Sequence, residues 1–192
     1  KYRLYDASLD ADFGWATLVS TTSYSTARMN QYSDLTAAYG PVLGPALGIP
    51  DAGFAAAQPI ALNKFTQELR LVSKSNDTFD YIVGLYFQNQ HSYTAQISEL
   101  RGFKAWWDAA YPFAAGAVDA SSEDYRYKAR GHYTETALYG QGTWHATDAL
   151  DFTIGLRTFR DKYTATVDSA LPLWVGLFPP GHASNEQKNS KT

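Results

Sequence analysis

The order of the links between its strand-like segments constrains this chain more than any other feature. Segments that alternate apolar and polar residues, rich in β-branched and aromatic side chains, lie at about 2–11, 15–27, 63–74, 79–97, 131–146 and 151–165. Between them, short links rich in Asp, Asn, Ser and Gly ("DFG" at 12–14, "SNDT" at 75–78, "TDAL" at 147–150) alternate strictly with long ones at about 28–62, 98–130 and 166–186. Every hairpin is tight at one end and open at the other. A soluble sandwich shows turn signals roughly every 8 to 12 residues and no rule for which end carries long loops. A membrane barrel imposes such a rule, with short turns on one side of the bilayer and long loops on the other.

Strand length and face agree with that reading. Spanning a bilayer takes about 9 to 11 tilted residues, and most of these segments reach it. In "FDYIVGLYFQNQHSY" (79–93), Tyr81, Val83, Leu85 and Phe87 share one face and Asp80, Gly84, Gln88 and Gln90 the other. In 151–165, Phe152, Ile154 and Leu156 oppose Thr153, Gly155 and Arg157. In "KFTQELRLVS" (64–73), Phe65, Leu69 and Leu71 oppose Thr66, Glu68 and Arg70, with Gln67 an exception on the apolar face. Apolar faces meet lipid in this reading, and Glu68, Arg70 and Arg157 face a wet lumen, the arginines paired with carboxylates such as Glu68. For "TETALYGQGTWH" (134–145) neither parity is clean.

Aromatics make up 15% of the residues and charged residues only 18%. The rings gather beside the short links: Phe13 and Trp15, Phe79 and Tyr81, Trp144 and Phe152. Rings at a common height are the girdle of a membrane barrel, although aromatics favour strands generally.

The remaining totals exclude more than they assign. Sixteen Lys and Arg against 19 Asp and Glu give a net charge of −3 with no basic stripe, so nucleic acid is not a partner. Absence of cysteine removes disulfide and thiolate-metal chemistry but names no compartment. The N-terminal "KYRLYDASLD" has no apolar signal core, so any secretion signal has been removed or lies upstream. "AAYGPVLGPALGIP" (37–50) carries Pro41, Pro45 and Pro50 and reads as a rigid apolar loop rather than a spanning helix.

The segments "FTQELRLVS" (65–73), "FDYIVGLYFQ" (79–88) and "TALYGQGTWHATDALDFTIGLRTFRDKY" (136–163) resemble the barrel of TonB-dependent outer-membrane receptors. The matching positions are Glu68, Arg70, Leu71 and Ser73; Tyr81, Gly84 and Tyr86; and Thr147, Leu150, Gly155, Arg157 and Phe159. Tyr81 stands where that family more often has Trp, and Phe159 where it more often has Tyr. "YDASLDADFGWATLVSTTSYST" (5–26) is similar to a hairpin of the same barrels. The resemblance implies a barrel of about 22 strands with a plugged lumen in the outer membrane of a Gram-negative bacterium. It implies import of a scarce ligand, most often a ferric siderophore, when the TonB complex pulls on a plug domain. No plug segment is present, and Thr192 stands where such barrels end on an aromatic.

The fold expected is therefore all-β: an antiparallel meander of transmembrane strands over residues 1–192, about six strands and the start of a seventh at "SNEQKNSKT" (184–192). Two open edges cannot face hydrocarbon, so the other strands must come from sequence beyond this chain.

Sites are few. His91, His132, His145 and His182 lack zinc-site spacing, no nucleophile elbow or phosphate loop occurs, and Glu68 with Asp80 is ordinary lumen lining, so neither enzyme chemistry, a cofactor nor a metal is expected. One long link holds "LRGFKAWWDAAYPF" (100–113), where Arg101, Lys104, Trp106, Trp107 and Tyr111 combine aromatic faces with cations suited to sugars, aryl groups or metal-chelate anions. The other reading is that the tryptophans pack the loop onto its neighbours. A passive porin and a soluble carbohydrate-binding module stand as alternatives to the receptor.

Overall fold

A computed structural model describes residues 1–49, 52–76, 78–118, 123–172 and 180–191. The strands are β1 (Tyr2–Asp12), β2 (Ala16–Asp34), β3 (Gly53–Ser73), β4 (Phe79–Arg101), β5 (Glu123–Thr147), β6 (Leu150–Ala170) and β7 (Gly181–Lys191). They form one seven-stranded antiparallel sheet in sequence order, every neighbour joined as a hairpin. Asp77 of the second short link and residues 173–179 of the third long one lie outside the described residues.

The short links are tight. Asp12 Oδ1 accepts the Gly14 N–H at 2.8 Å, and Asn76 Oδ1 accepts the N–H groups of Thr78 and Phe79, each at 2.8 Å. The long links are shorter than the alternation implies, because the ladders continue far beyond it. β2 runs on to Asp34, β3 begins at Gly53, β4 ends at Arg101 and β5 begins at Glu123. The seventh strand, whose start was expected at 184–192, begins earlier, at Gly181, and pairs with β6 from Ser169↔Gly181 to Phe159↔Lys191.

The proline-rich segment differs from expectation as well. Thr36–Leu47 is an α-helix, α1, with Pro41 and Pro45 inside it. Each proline follows a glycine, Gly40 or Gly44. The α region is disfavoured before proline partly because the preceding Cβ meets the ring, and a glycine has none. The helix ends on Gly48 at φ 73°, where the Gly48 N–H reaches the Pro45 carbonyl at 3.1 Å and the Ile49 N–H the Gly44 carbonyl at 2.7 Å. No helix among the described residues is long and apolar enough to cross a membrane, which says nothing of strands.

Register fixes the faces. Paired residues share a face, and Leu18, Leu71, Val83, Gly140 and Leu156 form one row across the sheet. The frame that sequence left open is thereby settled: Leu138 pairs with Leu85 and lies on the apolar face, and Tyr139 pairs with Gly84 on the polar one. That row lies four residues above Gly14 in the first turn (14 to 18), seven above Asn76 (76 to 83) and eight above Asp148 (148 to 156). The strands are thus sheared against the line of turns, as closing into a barrel requires.

Along the turns the apolar face carries Phe13 stacked on Trp15 at 6.5 Å, Phe79 beside Tyr81 at 6.4 Å and Trp144 on Phe152 at 5.8 Å. Further up, the same face carries Tyr5, Tyr24, Phe65 and Phe87, the last two 6.4 Å apart. The apolar band lies between these two levels of rings. Gln67, the exception noted on this face of β3, is not a bare amide: Thr22 Oγ1 donates to its Oε1 at 2.5 Å, and its Nε2 donates to Ser20 Oγ at 3.0 Å.

Candidate functional site: the polar face and the loop cluster

On the opposite face the polar side chains are joined to one another. One row reads Val19, Arg70, Gly84, Tyr139, Arg157. A Cβ on Gly84 would lie 2.3 Å from Tyr139 Cζ, so only glycine lets the Tyr139 ring lie flat across β4. From there the Tyr139 hydroxyl crosses to β3 and donates to Glu68 Oε1 at 2.5 Å. Arg157 donates to Glu135 Oε1 at 2.5 Å and sits over the Tyr86 ring, 5.6 Å from its centroid. Glu135 Oε2 accepts from the Tyr133 hydroxyl at 2.7 Å, and the Tyr86 hydroxyl donates to Gln88 Oε1 at 2.7 Å.

Glu68, Arg70 and Arg157 therefore share the polar face. Their pairing is different. Glu68 takes a tyrosine rather than an arginine, and the carboxylate holding Arg157 is Glu135. Among the described residues Arg70 makes no ion pair within 4 Å. Tyr86, Tyr133, Glu135 and Tyr139 were not legible as a group because β5 had no frame; the alternation of Tyr133, Glu135 and Tyr139 is the signal that, once framed, identifies them.

The other cluster caps the long-link end. Between β4 and β5 the chain forms a helix, α2 (Phe103–Ala110), and a 3₁₀ turn (Pro112–Ala117). Ile49, Ala52, Leu100, Phe103 and Val118 are buried together, with Phe54, Trp106 and Trp107 packed on them. This small core joins the β2–β3 and β4–β5 hairpins.

Of the five residues anticipated in this loop, the three aromatic ones are brought together. The Trp107 and Tyr111 rings are 4.7 Å apart and Trp106 meets Tyr111 edge-on at 6.0 Å. Trp106 also covers Gly48 at the end of α1, and Trp107 Nε1 donates to the Ala114 carbonyl at 2.9 Å. Lys104 Nζ is held by Asp108 at 2.8 Å and by the Ala115 carbonyl at 3.3 Å, and Arg101 lies 3.7 Å from Asp34. The tryptophans are thus packing residues of the loop, and the cations have intramolecular partners. Outward of them, Phe113 stands 89% exposed, in T-shaped contact with Tyr111 at 6.2 Å. Phe113, the last residue of that motif, extends the ring contacts of Tyr111 outward.

Asp34 ties this cap to the sheet. Its Oδ1 accepts the Thr36 N–H at 2.9 Å at the start of α1, and these Thr36 contacts, with Arg101 behind them, hold its carboxyl below the ordinary range.

No protein-family model matches the chain. No curated protein matches it either. In structure it is similar to the ferric yersiniabactin uptake receptor FyuA from Yersinia pestis, with a TM-score of 0.71 and 15% sequence identity over 99% of this chain and 24% of the receptor. At that identity the likeness carries the fold alone: an antiparallel β meander of the kind found in that receptor's barrel, spanning about a quarter of the receptor's length.

Proposed function

We propose that this chain is barrel wall of a TonB-dependent receptor in the outer membrane of a Gram-negative bacterium, and that the whole protein imports a scarce ligand, a ferric siderophore by class. The observation that carries this reading is the two-faced sheet. One face has an apolar band between two levels of aromatic rings, and the other a joined network of Glu, Arg and Tyr. A soluble sheet of this form would leave a face of Leu, Val and Phe side chains uncovered. The likeness to an iron-chelate uptake receptor supports the same reading.

In this reading β1 and β7 pair with further strands of the same barrel, since unpaired strand edges are excluded from hydrocarbon. The lipid of the outer membrane meets the apolar band, a plug domain meets the polar network, and the TonB complex acts through that plug. The loop cluster faces the exterior. There Tyr111 and Phe113, backed by the packed Trp106 and Trp107, shape an aromatic surface for the incoming chelate, with the paired Arg101 and Lys104 beside it.

The test is uptake of iron-55 presented as ferric siderophores by cells expressing the whole protein, with and without a collapsed proton gradient. Energy-dependent uptake that falls on Tyr111→Ala with Phe113→Ala is expected. Uptake indifferent to the gradient, with free passage of small solutes, would instead identify a passive channel.

A further inference from the structure

At the short-link end of the polar face one histidine is held from three sides. His145 lies near the end of β5, in register with Asp151 at the start of β6, and its backbone N–H donates to the Thr78 carbonyl at 3.0 Å, in the link before β4. The imidazole Nδ1 meets Asp151 Oδ1 at 2.8 Å, and Nε2 meets Asp80 Oδ2 at 3.1 Å. Asp80 is itself built in. Its Oδ1 accepts the Asn76 N–H at 3.2 Å and the Ser73 hydroxyl at 3.5 Å, and Ser73 Oγ accepts the Tyr81 N–H at 2.9 Å. Through this one ring β4, β5 and β6 are tied together beside two short links.

The geometry fixes the protonation state. An ionised carboxylate only accepts hydrogen bonds, so an imidazole placed between two of them satisfies both only as imidazolium, with a proton on each nitrogen. Neutral imidazole keeps one N–H and turns a lone pair toward the other carboxylate, which replaces an attraction by a repulsion. While both contacts hold, neither nitrogen has a free lone pair, so the ring serves neither as a metal ligand nor as a general base. His145 lies beyond Trp144 toward the link, outside the apolar band. The charges that act on it are those of Asp151 and Asp80, whose hydrogen bonds, Asp151 first, raise its proton affinity above an ordinary histidine's against the effect of desolvation.

We propose that His145 is a proton-operated clasp of the turn-side rim, closed on Asp80 and Asp151 as imidazolium and released from one of them when the ring loses a proton. The proposal stands on the register and these contacts, not on what the barrel carries. Its sign follows from linkage. With the folded value raised, the clasp contributes in full below the unfolded histidine value of about 6.5 and is lost as pH rises through the folded one. Release leaves a carboxylate on the polar face without its cation, at the rim where a filled lumen would meet the wall. An ion pair of fixed charge, such as Lys74 with Asp12 at 2.6 Å on the neighbouring links, has no such response near neutral pH.

The experiment is hydrogen exchange of the whole protein in detergent between about pH 5 and about pH 9, a range in which ordinary carboxylates stay ionised. It is read by mass spectrometry against the turn of Asp12 and Gly14, which holds no histidine. Protection of segments 78–81 and 143–147 relative to that turn should be level at acid pH and fall about two- to fivefold as pH rises through the His145 titration. His145→Gln should abolish the pH dependence and leave the reference turn unchanged. Asp151→Asn, at the more exposed corner, should keep the fall and move it to lower pH, and it carries the test should His145→Gln fail to fold. In protein labelled at histidine Cε1, the resonance that His145→Gln removes should titrate above an ordinary histidine and drop on Asp151→Asn. A flat ratio in wild type overturns the proposal, as does a fall that persists in His145→Gln or a His145 resonance that titrates at or below the ordinary value.

Discussion

Val83→Arg tests the face assignment at its most sensitive point. Val83 lies midway between the two levels of rings on β4, four residues from Phe79 and four from Phe87 (79 to 83, 83 to 87). Four residues at about 3.3 Å each, on a strand tilted by about 40°, place it roughly 10 Å from either level. Its row partners are Leu71 and Gly140, and the carboxylates Glu68 and Glu135 belong to the other face. On the proposed lipid-facing assignment, an arginine there has lipid on one side and no counter-charge within reach. The cost at such a midplane position is about 2 to 4 kcal/mol, falling to about 0 to 1 kcal/mol near the interface. Asn89→Arg, two residues beyond Phe87, should accordingly cost less than about 1 kcal/mol. Gln88→Arg turns to the polar face, where Glu135 is its register partner, and should cost nothing measurable or stabilise slightly. Denaturant unfolding of the whole protein from lipid vesicles, followed by tryptophan fluorescence, measures all three. Equal costs for Val83→Arg and Gln88→Arg would refute the reasoning outright, because the two side chains would then see the same medium.

Gln67→Leu should be nearly neutral, within about 1 kcal/mol, whereas Ser20→Ala with Thr22→Val, which leaves the Gln67 Oε1 without its donor and the Nε2 with the Glu68 carbonyl, should cost about 1 to 3 kcal/mol in the same assay. Gly84→Val should cost about 1 to 3 kcal/mol by driving the Tyr139 ring off β4. The added change Tyr139→Ala should then be less damaging than in wild type, a coupling that a double-mutant cycle detects. Asp34 predicts a pH effect at the loop cap. Its folded pKa is lowered, so its contribution is present above about pH 4 and is lost as pH falls through the lowered value. Trp106 and Trp107 fluorescence should therefore report loosening of the cap in that acid window, and Asp34→Asn should remove the pH dependence of that signal.

What the sequence disclosed and what it hid divide along physical lines. Strands were legible wherever one face meets an apolar medium, since alternation then has a cause: Val83, Leu85 and Phe87, or Phe152, Ile154 and Leu156. β5 had no frame because its outward positions Thr134, Thr136, Gly140 and Gly142 are small or polar; they lie opposite Phe87, Val83 and their neighbours, which fill that face for them. The ladders beyond the band were hidden for a related reason. At 28–34 and 123–130 neither face is apolar, so the pattern fades while the backbone pairing of β2 and β5 continues. In the loop, the gathering of tryptophans was visible in "FKAWWDAAYPF", but the partners were not. Arg101 and Asp34 are 67 positions apart (101 minus 34), and only the β3–β4 and β2–β3 registers bring them to 3.7 Å.

The extended ladders also bear on how such a wall would hold a ligand surface in place. β4 and β5 have 23 and 25 residues, about twice what a bilayer needs. The surplus is largely paired backbone, which stands in water without loss where its N–H and C=O groups have strand partners. A loop mounted on such a ribbon inherits its register: the Trp106, Trp107 and Tyr111 cluster sits where Gly53↔Arg101 and Ala55↔Glu99 place the base of α2. The buried group of Ile49, Ala52, Leu100, Phe103 and Val118 then locks one hairpin against the next. Selectivity built on that surface would depend on strand pairing many residues below it. A change such as Gly53→Val, whose Cβ would meet Arg101 Cβ at 3.4 Å and its Nε at 3.3 Å, should thus alter ligand affinity while the wall still inserts normally.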